Sequence, residues 1–281
     1  MECFPLEIPL SLHMRDHAFD GKLILSAAEL LHLMAAAVTS LFPDLSFAEQ
    51  ADALFPRFLL LPSEGEKTLS VLLELENQAG EGVTVRLLRE FQSRSGKFSR
   101  LREHVHVRFL KKRATDFPVL PFTEAMMLPG IPFGISAEKI YEALIPFGPA
   151  YRNIRGNLRM NAQGAIALME TRMESFPDRF PGFPLIFDAA LQAACVWGQR
   201  YRGRVVFPVG FRRRCFWKST QSETSYLCRV LPVGTERDAV IFDLWIYDLK
   251  GTLYEAVRGL RMVDVTAGRI QPPHWIQEPF P

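Results

Sequence analysis

Phe183-Pro184-Leu185-Ile186-Phe187-Asp188-Ala189-Ala190-Leu191-Gln192-Ala193-Ala194-Cys195-Val196-Trp197 is apolar almost all round, with polar exceptions at Asp188 and Gln192. Alanine and leucine favour helix, and a helix apolar on every side belongs inside a protein. The pattern predicts a buried helix from about Leu185 to Tyr201. A second stretch of the same kind, Ser26-Ala27-Ala28-Glu29-Leu30-Leu31-His32-Leu33-Met34-Ala35-Ala36-Ala37, predicts another from Ser26 to about Leu41. Ser26 and Glu29 stand three apart, the spacing of a capping box that satisfies two otherwise unpaired backbone donors. A shorter helix is expected over Ser136 to Leu144.

Around these helices the apolar residues recur every second position, as they do in strands. Leu69, Val71, Leu73 and Leu75 form one such run, and Val105, Val107 and Phe109 another. Tyr226, Cys228 and Val230 follow, then Val240, Phe242, Leu244 and Ile246, and finally the long run Leu253 to Val265. The Pro-rich stretch 117–135 has linker chemistry, because proline cannot donate to a sheet ladder. The expected organisation is a half over 1–116, a linker over 117–135 and a second half over 136–281. Periodicity supports an α+β class with two similar halves, each a buried helix followed by antiparallel strands.

Composition narrows the classes of function. The chain has 281 residues, 48% of them hydrophobic and 23% charged, enough apolar matter for a sizeable core. Thirty-three Lys and Arg against 31 Asp and Glu leave a net charge of +2, which gives no support for a nucleic-acid partner. Cys3, Cys195, Cys215 and Cys228 form no C-x-x-C pair and are too few for a disulfide scaffold. The N-terminus carries an early acid and no cationic start, unlike a signal peptide, and no apolar run approaches about 18 residues. A reduced, cytoplasmic protein with no membrane partner is expected. Nucleotide-loop, nucleophile-elbow and zinc-protease motifs are absent. His104 and His106 form an H-x-H pair without an evident third ligand, so no metal is expected.

Four local patterns, in order, resemble the dehydratase domains of polyketide synthases. The family's H-x-x-x-G-x-x-x-x-P is matched by His17-Ala18-Phe19-Asp20-Gly21-Lys22-Leu23-Ile24-Leu25-Ser26, with Ser26 in place of Pro. Its Y-G-P-x-F is matched by Phe147-Gly148-Pro149-Ala150-Tyr151, with the two aromatics exchanged. Its D-x-x-x-Q or D-x-x-x-H is matched by Asp188 and Gln192, and a Pro-containing strand follows as Phe207-Pro208-Val209-Gly210-Phe211. The resemblance runs from about Leu12 to Val265 and extends to the product-template domains of fungal synthases, which cyclise. It implies a double hotdog: two tandem halves, each a long antiparallel sheet around a buried helix. No other synthase domain accompanies these motifs, so the chain is expected to stand alone or to be a piece of a larger synthase.

The resemblance implies a lyase that removes water from a 3-hydroxyacyl thioester. His17 is expected as the base, since an ordinary histidine is mostly neutral at pH 7. Asp188 is expected as the acid, which requires burial to outweigh a stabilising helix N-terminus. Gln192 shares its helix face and would orient the carboxyl. Gly21 would allow close backbone approach, and the first helix would offer N–H donors to the thioester oxygen. Phe147, Gly148, Pro149, Tyr151 and Pro208 would line the substrate site, and any hydrogen bond made by the family's tyrosine would be lost or move to Tyr151. No cofactor is expected, because the substrate arrives on the phosphopantetheine arm of an acyl carrier protein in polyketide or fatty-acid-type biosynthesis. The other expected partners are ketosynthase-type components, with a homodimer left open. Arg212 and Arg214 would share one strand face as a docking pair for the acidic carrier, and Arg213 would differ. Lys111-Lys112-Arg113 is a second basic candidate. Cyclisation or isomerisation by the same His/Asp pair, and a non-catalytic acyl-binding or scaffolding role, are the alternative readings.

Overall fold

The computed structural model describes residues 2–43, 47–62, 65–78, 81–92, 99–113, 116–171 and 183–278. Its strands are β1 (Glu2–Pro9), β2 (Ala18–Phe19), β3 (Lys22–Leu25), β4 (Glu49–Leu54), β5 (Leu59–Leu60), β6 (Thr68–Gln78), β7 (Gly82–Gln92) and β8 (Ser99–Leu110). They continue with β9 (Phe133–Ser136), β10 (Ile154–Asn161), β11 (Gly164–Glu170), β12 (Phe207–Phe216), β13 (Ser225–Glu236), β14 (Ala239–Asp248) and β15 (Leu253–Val263). The helices are α1 (Ala27–Leu41), the single turns α2 (Phe122–Ala125) and α3 (Ala137–Lys139), and α4 (Pro184–Arg202).

Among the described residues, twelve strands join one sheet in the order β1-β6-β7-β8-β4-β12-β15-β14-β13-β11-β10-β9. The period-two runs build it: Leu69, Val71, Leu73 and Leu75 of β6 are all buried, as are Val105, Val107 and Phe109 of β8. Helix α1 packs on β8 and on α4, and α4 packs on β10, β11, β13 and β14. Every residue of α4 from Pro184 to Gln199 is buried. Each large apolar side chain placed this way stabilises the fold by about 1.5–3 kcal/mol. The two buried helices therefore meet inside one curved sheet, whose halves join where β4 pairs with β12, from Gly210↔Leu54 to Cys215↔Glu49.

The ends of α4 follow from its sequence. Pro184 occupies the first turn, where a missing N–H costs nothing. Gly203 closes the helix in the left-handed conformation, φ 61°. Helix α3 is capped by Ser136, whose Oγ accepts from the Lys139 amide at 3.3 Å, and it widens into a π turn over Ile140–Leu144.

The Pro-rich stretch is a packed strap. Phe117 and Ala125 are buried with Cys215, Trp245, Tyr247 and Ala256 in a second apolar cluster. The Trp245 indole donates to the Pro118 carbonyl at 3.1 Å, and the Tyr247 hydroxyl donates to that of Leu120. Proline leaves its own carbonyl as an acceptor, so a segment unfit for a central strand still ties down the sheet's second face. The stretch also runs into β9, which pairs with β10.

The expected pairing of Arg212 with Arg214 does not hold. Arg212 is exposed and bound to Glu236 at 2.9 Å, whereas Arg214 is buried and donates to both Glu255 oxygens at 2.6 and 3.1 Å. Arg213 faces Glu49 and Asp116. Phe211 and Arg214, three apart, both reach the Phe187 ring, so simple alternation slips between them. The cause is a row of irregularities crossing three strands. Asp52 has φ 52° and Gly259 φ 66°, and the Gly259 amide is taken by the Asp243 carboxylate at 2.8 Å.

Candidate active site

His17 follows a 3₁₀ turn (Leu12–Asp16) and precedes a two-residue hairpin, with Ala18↔Leu23 and Phe19↔Lys22 paired around Asp20-Gly21. Both turn residues have positive φ, 49° and 70°, the geometry that an Asp-Gly pair supplies. The H-x-x-x-G spacing is thus the spacing of this hairpin: it sets His17 opposite Ile24. The Ile24 amide donates to the His17 carbonyl at 3.0 Å, and His17 Nδ1 lies 2.9 Å from the Ile24 carbonyl. A carbonyl only accepts, so Nδ1 carries the proton and Nε2 is the basic nitrogen. The imidazole packs on Phe147 and Tyr151, with ring centroids 4.3 and 4.9 Å away.

The aromatic loop is held to the His17 turn by Asp16. The Gly148 amide donates to the Asp16 carbonyl at 2.8 Å and the Ala150 amide to its carboxylate at 2.9 Å. A Cβ on Gly148 would lie 2.3 Å from that carboxyl, so only glycine fits. Pro149 starts a 3₁₀ turn that ends at Tyr151.

Asp188 is buried, with a relative exposure of 4%, and accepts from Gln192 Nε2 at 2.7 Å. The same amide nitrogen donates to the Tyr151 carbonyl at 2.9 Å, and Gln192 Oε1 accepts from the Tyr141 hydroxyl at 2.9 Å. Tyr141 in turn accepts from the Ile154 amide at 2.7 Å. The Gln192 amide therefore cannot rotate without breaking bonds, and the carboxyl beside it is fixed. Burial raises the Asp188 pKa; the charge of His17 and the Gln192 bond oppose this, and Glu29 adds to it. The expected helix-terminus effect is small. Asp188 is the fifth residue of α4, beyond the first turn where the dipole acts.

Ser26 caps α1, its Oγ accepting from the Glu29 amide at 3.2 Å. The Glu29 carboxylate accepts from Ser26 Oγ at 3.3 Å, lies 2.6 Å from His13 Nε2 and accepts from the Tyr151 hydroxyl. The Tyr151 hydroxyl is therefore bonded to Glu29, which favours the alternative that the family's tyrosine contact is lost over its transfer to Tyr151.

Two adjoining cavities surround these groups. One, of about 270 Å³, is lined by Phe147, Asp188, Leu191, Gln192 and Cys195. The other, of about 430 Å³, is lined by His17, Leu30, Phe55 and Phe58. Ala27 and Pro208 line both. Burial pushes the Cys195 thiol up to about 11, so it stays protonated. Of the expected residues, the structure brings together His17, Asp188, Gln192, Phe147, Tyr151 and Pro208. Gly148 and Pro149 shape the loop behind them. Gly21 is exposed in its turn and lines neither cavity, so its glycine answers to φ alone. Arg214 is a buried structural cation and Arg212 lines neither cavity. His104 is buried with Nδ1 3.1 Å from the Phe58 carbonyl. Among the described residues, no three His, Cys, Asp or Glu side chains gather as a metal-holding group.

Residues 131–272 match the family model described as polyketide synthase dehydratase N-terminal domain. The chain belongs to the polyketide synthase dehydratase family. No curated protein sequence matches it. This dehydratase-family chain is similar in fold to the dehydratase domain from the CurJ module of curacin polyketide synthase, at 16% identity and TM-score 0.72, covering 93% of this chain and 91% of that one. A trans-AT polyketide synthase dehydratase domain from Brevibacillus brevis matches at 16% identity and TM-score 0.72, covering 94% of each chain. The dehydratase domain of RzxB from Pseudomonas fluorescens matches at 15% identity and TM-score 0.69, covering 92% of this chain and 93% of that one. These likenesses establish the double hotdog fold. Among the described residues, no helix of this dehydratase-family chain is long and apolar enough to cross a membrane.

Proposed function

We propose that the chain dehydrates 3-hydroxyacyl thioesters delivered by an acyl carrier protein within polyketide biosynthesis. The supporting observation is the placement of a tautomer-fixed histidine and a buried, amide-clamped carboxyl on two cavities that meet at Ala27 and Pro208. A thioester lying across that junction presents its α-carbon to His17 and its 3-hydroxyl to Asp188.

His17 Nε2 takes the α-proton, and the electron pair forms the double bond between the α- and β-carbons. The β-carbon–oxygen bond breaks as Asp188 protonates the departing hydroxyl, giving an enoyl thioester and water. His17 ends protonated and Asp188 ionised, and return of one proton restores both. Burial raises the Asp188 pKa, toward the protonated form that the step consumes. Ala27, the first residue of α1, lines both cavities, so the positive end of that helix faces the developing enolate. Loss of water neither adds nor removes electrons overall, so the step calls for no redox group.

The test is turnover of a short 3-hydroxyacyl N-acetylcysteamine thioester, with hydration of the matching enoyl thioester as the reverse assay. His17→Ala and Asp188→Asn are each expected to lower kcat/KM by about 10²–10⁴-fold while the circular dichroism spectrum is kept. Binding of the acyl chain without turnover by wild type and both variants would instead establish an acyl-binding domain.

A further inference from the structure

The cavity that holds His17 continues, through Arg57, Phe58 and His104, into an outer cleft of about 430 Å³ lined also by Leu60, Arg89, Phe91 and Arg102. Three arginines face one glutamate, Glu90, in the lining of that cleft. Arg89 and Arg102 are direct partners across the β7–β8 ladder. Like charges directly opposite on neighbouring strands destabilise a sheet, so this pair carries a cost within the fold.

The surroundings hold the cations in place. Arg89 donates to the Leu60 carbonyl at 2.9 Å and Arg57 to that of Glu103 at 3.2 Å. The Arg102 guanidinium lies over the Phe91 ring, 3.4 Å from its centroid. Loss of hydration, then the charges of Arg100 and Arg57, push Arg102 below its ordinary pKa. Burial lowers the His104 pKa. The Arg57 and Phe58 carbonyls oppose this, and the charges of Arg89 and Arg57 add to the lowering. Exposed apolar side chains line the cleft beside the cations: Phe58, Leu60 and Phe91 are 39%, 42% and 36% exposed. A preset cationic cleft with an apolar rim, opening inward to a histidine, suits an anionic group at the base of an arm that reaches inside.

We propose that Arg89 and Arg102, with Arg57 at the inner edge, bind the phosphate of the carrier protein's phosphopantetheine arm, so that the thioester is threaded past Phe58 to His17. This rests on the dehydratase reading and moves carrier docking from Arg212 and Arg214 to the β7–β8 face. A phosphodiester gives the opposed cations a shared counter-charge, and charge-assisted bonds of this kind are the strong ones.

The test compares one 3-hydroxyacyl group carried on N-acetylcysteamine, on pantetheine and on 4′-phosphopantetheine. Wild type is expected to prefer the phosphopantetheine thioester over the pantetheine thioester by about 10–100-fold in kcat/KM. Arg89→Gln/Arg102→Gln should erase that preference and leave the N-acetylcysteamine thioester unchanged, while Arg89→Lys should retain much of it. Equal use of the two pantetheine thioesters by wild type, or a preference that survives in the double variant, overturns the proposal. If no thioester is turned over, the dehydratase reading fails separately. Calorimetric binding of 4′-phosphopantetheine by wild type and its loss in the double variant would still support the cleft, and equal binding would overturn it. Loss of binding to anionic vesicles, with phosphopantetheine binding intact, would assign the cleft to a membrane and overturn it as well.

Discussion

Asp188 is buried as a carboxyl, and burial has a consequence for stability as well as chemistry. Its pKa in the fold lies above the ordinary carboxylate value of about 3.9. The stability this confers is complete below that ordinary value and is lost as pH rises through the folded value. Between the two, the unfolded chain sheds a proton that the fold retains, weakening the fold by roughly 1 kcal/mol per pH unit. Asp188→Asn does not titrate, and its amide oxygen still accepts from Gln192. Thermal melts across pH should therefore show the variant gaining on wild type from about pH 4 upward until the folded value is passed. A difference that stays flat with pH would contradict a raised pKa. At this scale the sequence was legible where spacing converts directly to geometry. Asp188 and Gln192 are four apart on a helix, and His17 and Gly21 span a two-residue hairpin. Tyr141 and Glu29 were not legible as site neighbours. Tyr141 meets Gln192 across 51 residues of chain and Tyr151 meets Glu29 across 122.

Helix α4 carries a glycine, Gly198, four residues before its end, that propensity alone would remove. Gly198→Ala should favour the helix by about 1 kcal/mol. The new Cβ, however, would lie 2.6 Å from Val206 Cγ2, on a β-branched side chain with little rotamer freedom. Overpacking of this kind costs about 1–3 kcal/mol, so the net effect should be destabilising, with Tm lowered by a few degrees. Val206 also lines the cavity that holds Asp188, so acyl turnover should fall with it. A rise in Tm would show that Val206 yields freely. The two long helices were legible to within a residue or two, because a long run apolar on every side has few other readings, whereas the single turn α2 lay unread inside the Pro-rich stretch. The facing of Arg212, Arg213 and Arg214 was not. Period-two reasoning assumes an unbroken ladder, and the interruption originates at Asp52 and Gly259, on neighbouring strands far away in sequence.

Across the whole molecule, the two halves are joined by β4 against β12 and by a buried polar knot at that seam. Arg214 binds Glu255 and Gln50, while Glu49 meets Arg213 and Cys215. Arg214→Met would leave the Glu255 carboxylate buried without its cation, and such a loss costs about 3–5 kcal/mol. Arg214→Met/Glu255→Met should recover most of it, since an apolar pair of similar volume is often neutral. Urea melts of the two variants check this, and a single variant as stable as wild type would show that the knot bears little of the fold. Fold class and the two-half plan were readable from helix and strand periods. The order of strands was not, because nothing in a strand's own pattern names its neighbour.

That seam also bears on how the chain is made. Gln50 and Arg214, which meet in it, stand 164 residues apart. At about 5–20 residues per second, a ribosome needs roughly 10–30 s to supply β12 after β4 has emerged. Throughout that interval one side of β4 lacks its final partner, an open row of backbone donors and acceptors inviting another chain. Production of this protein in a foreign host will therefore be limited by what shields that edge during synthesis, and slower growth at low temperature with abundant chaperone is the natural remedy.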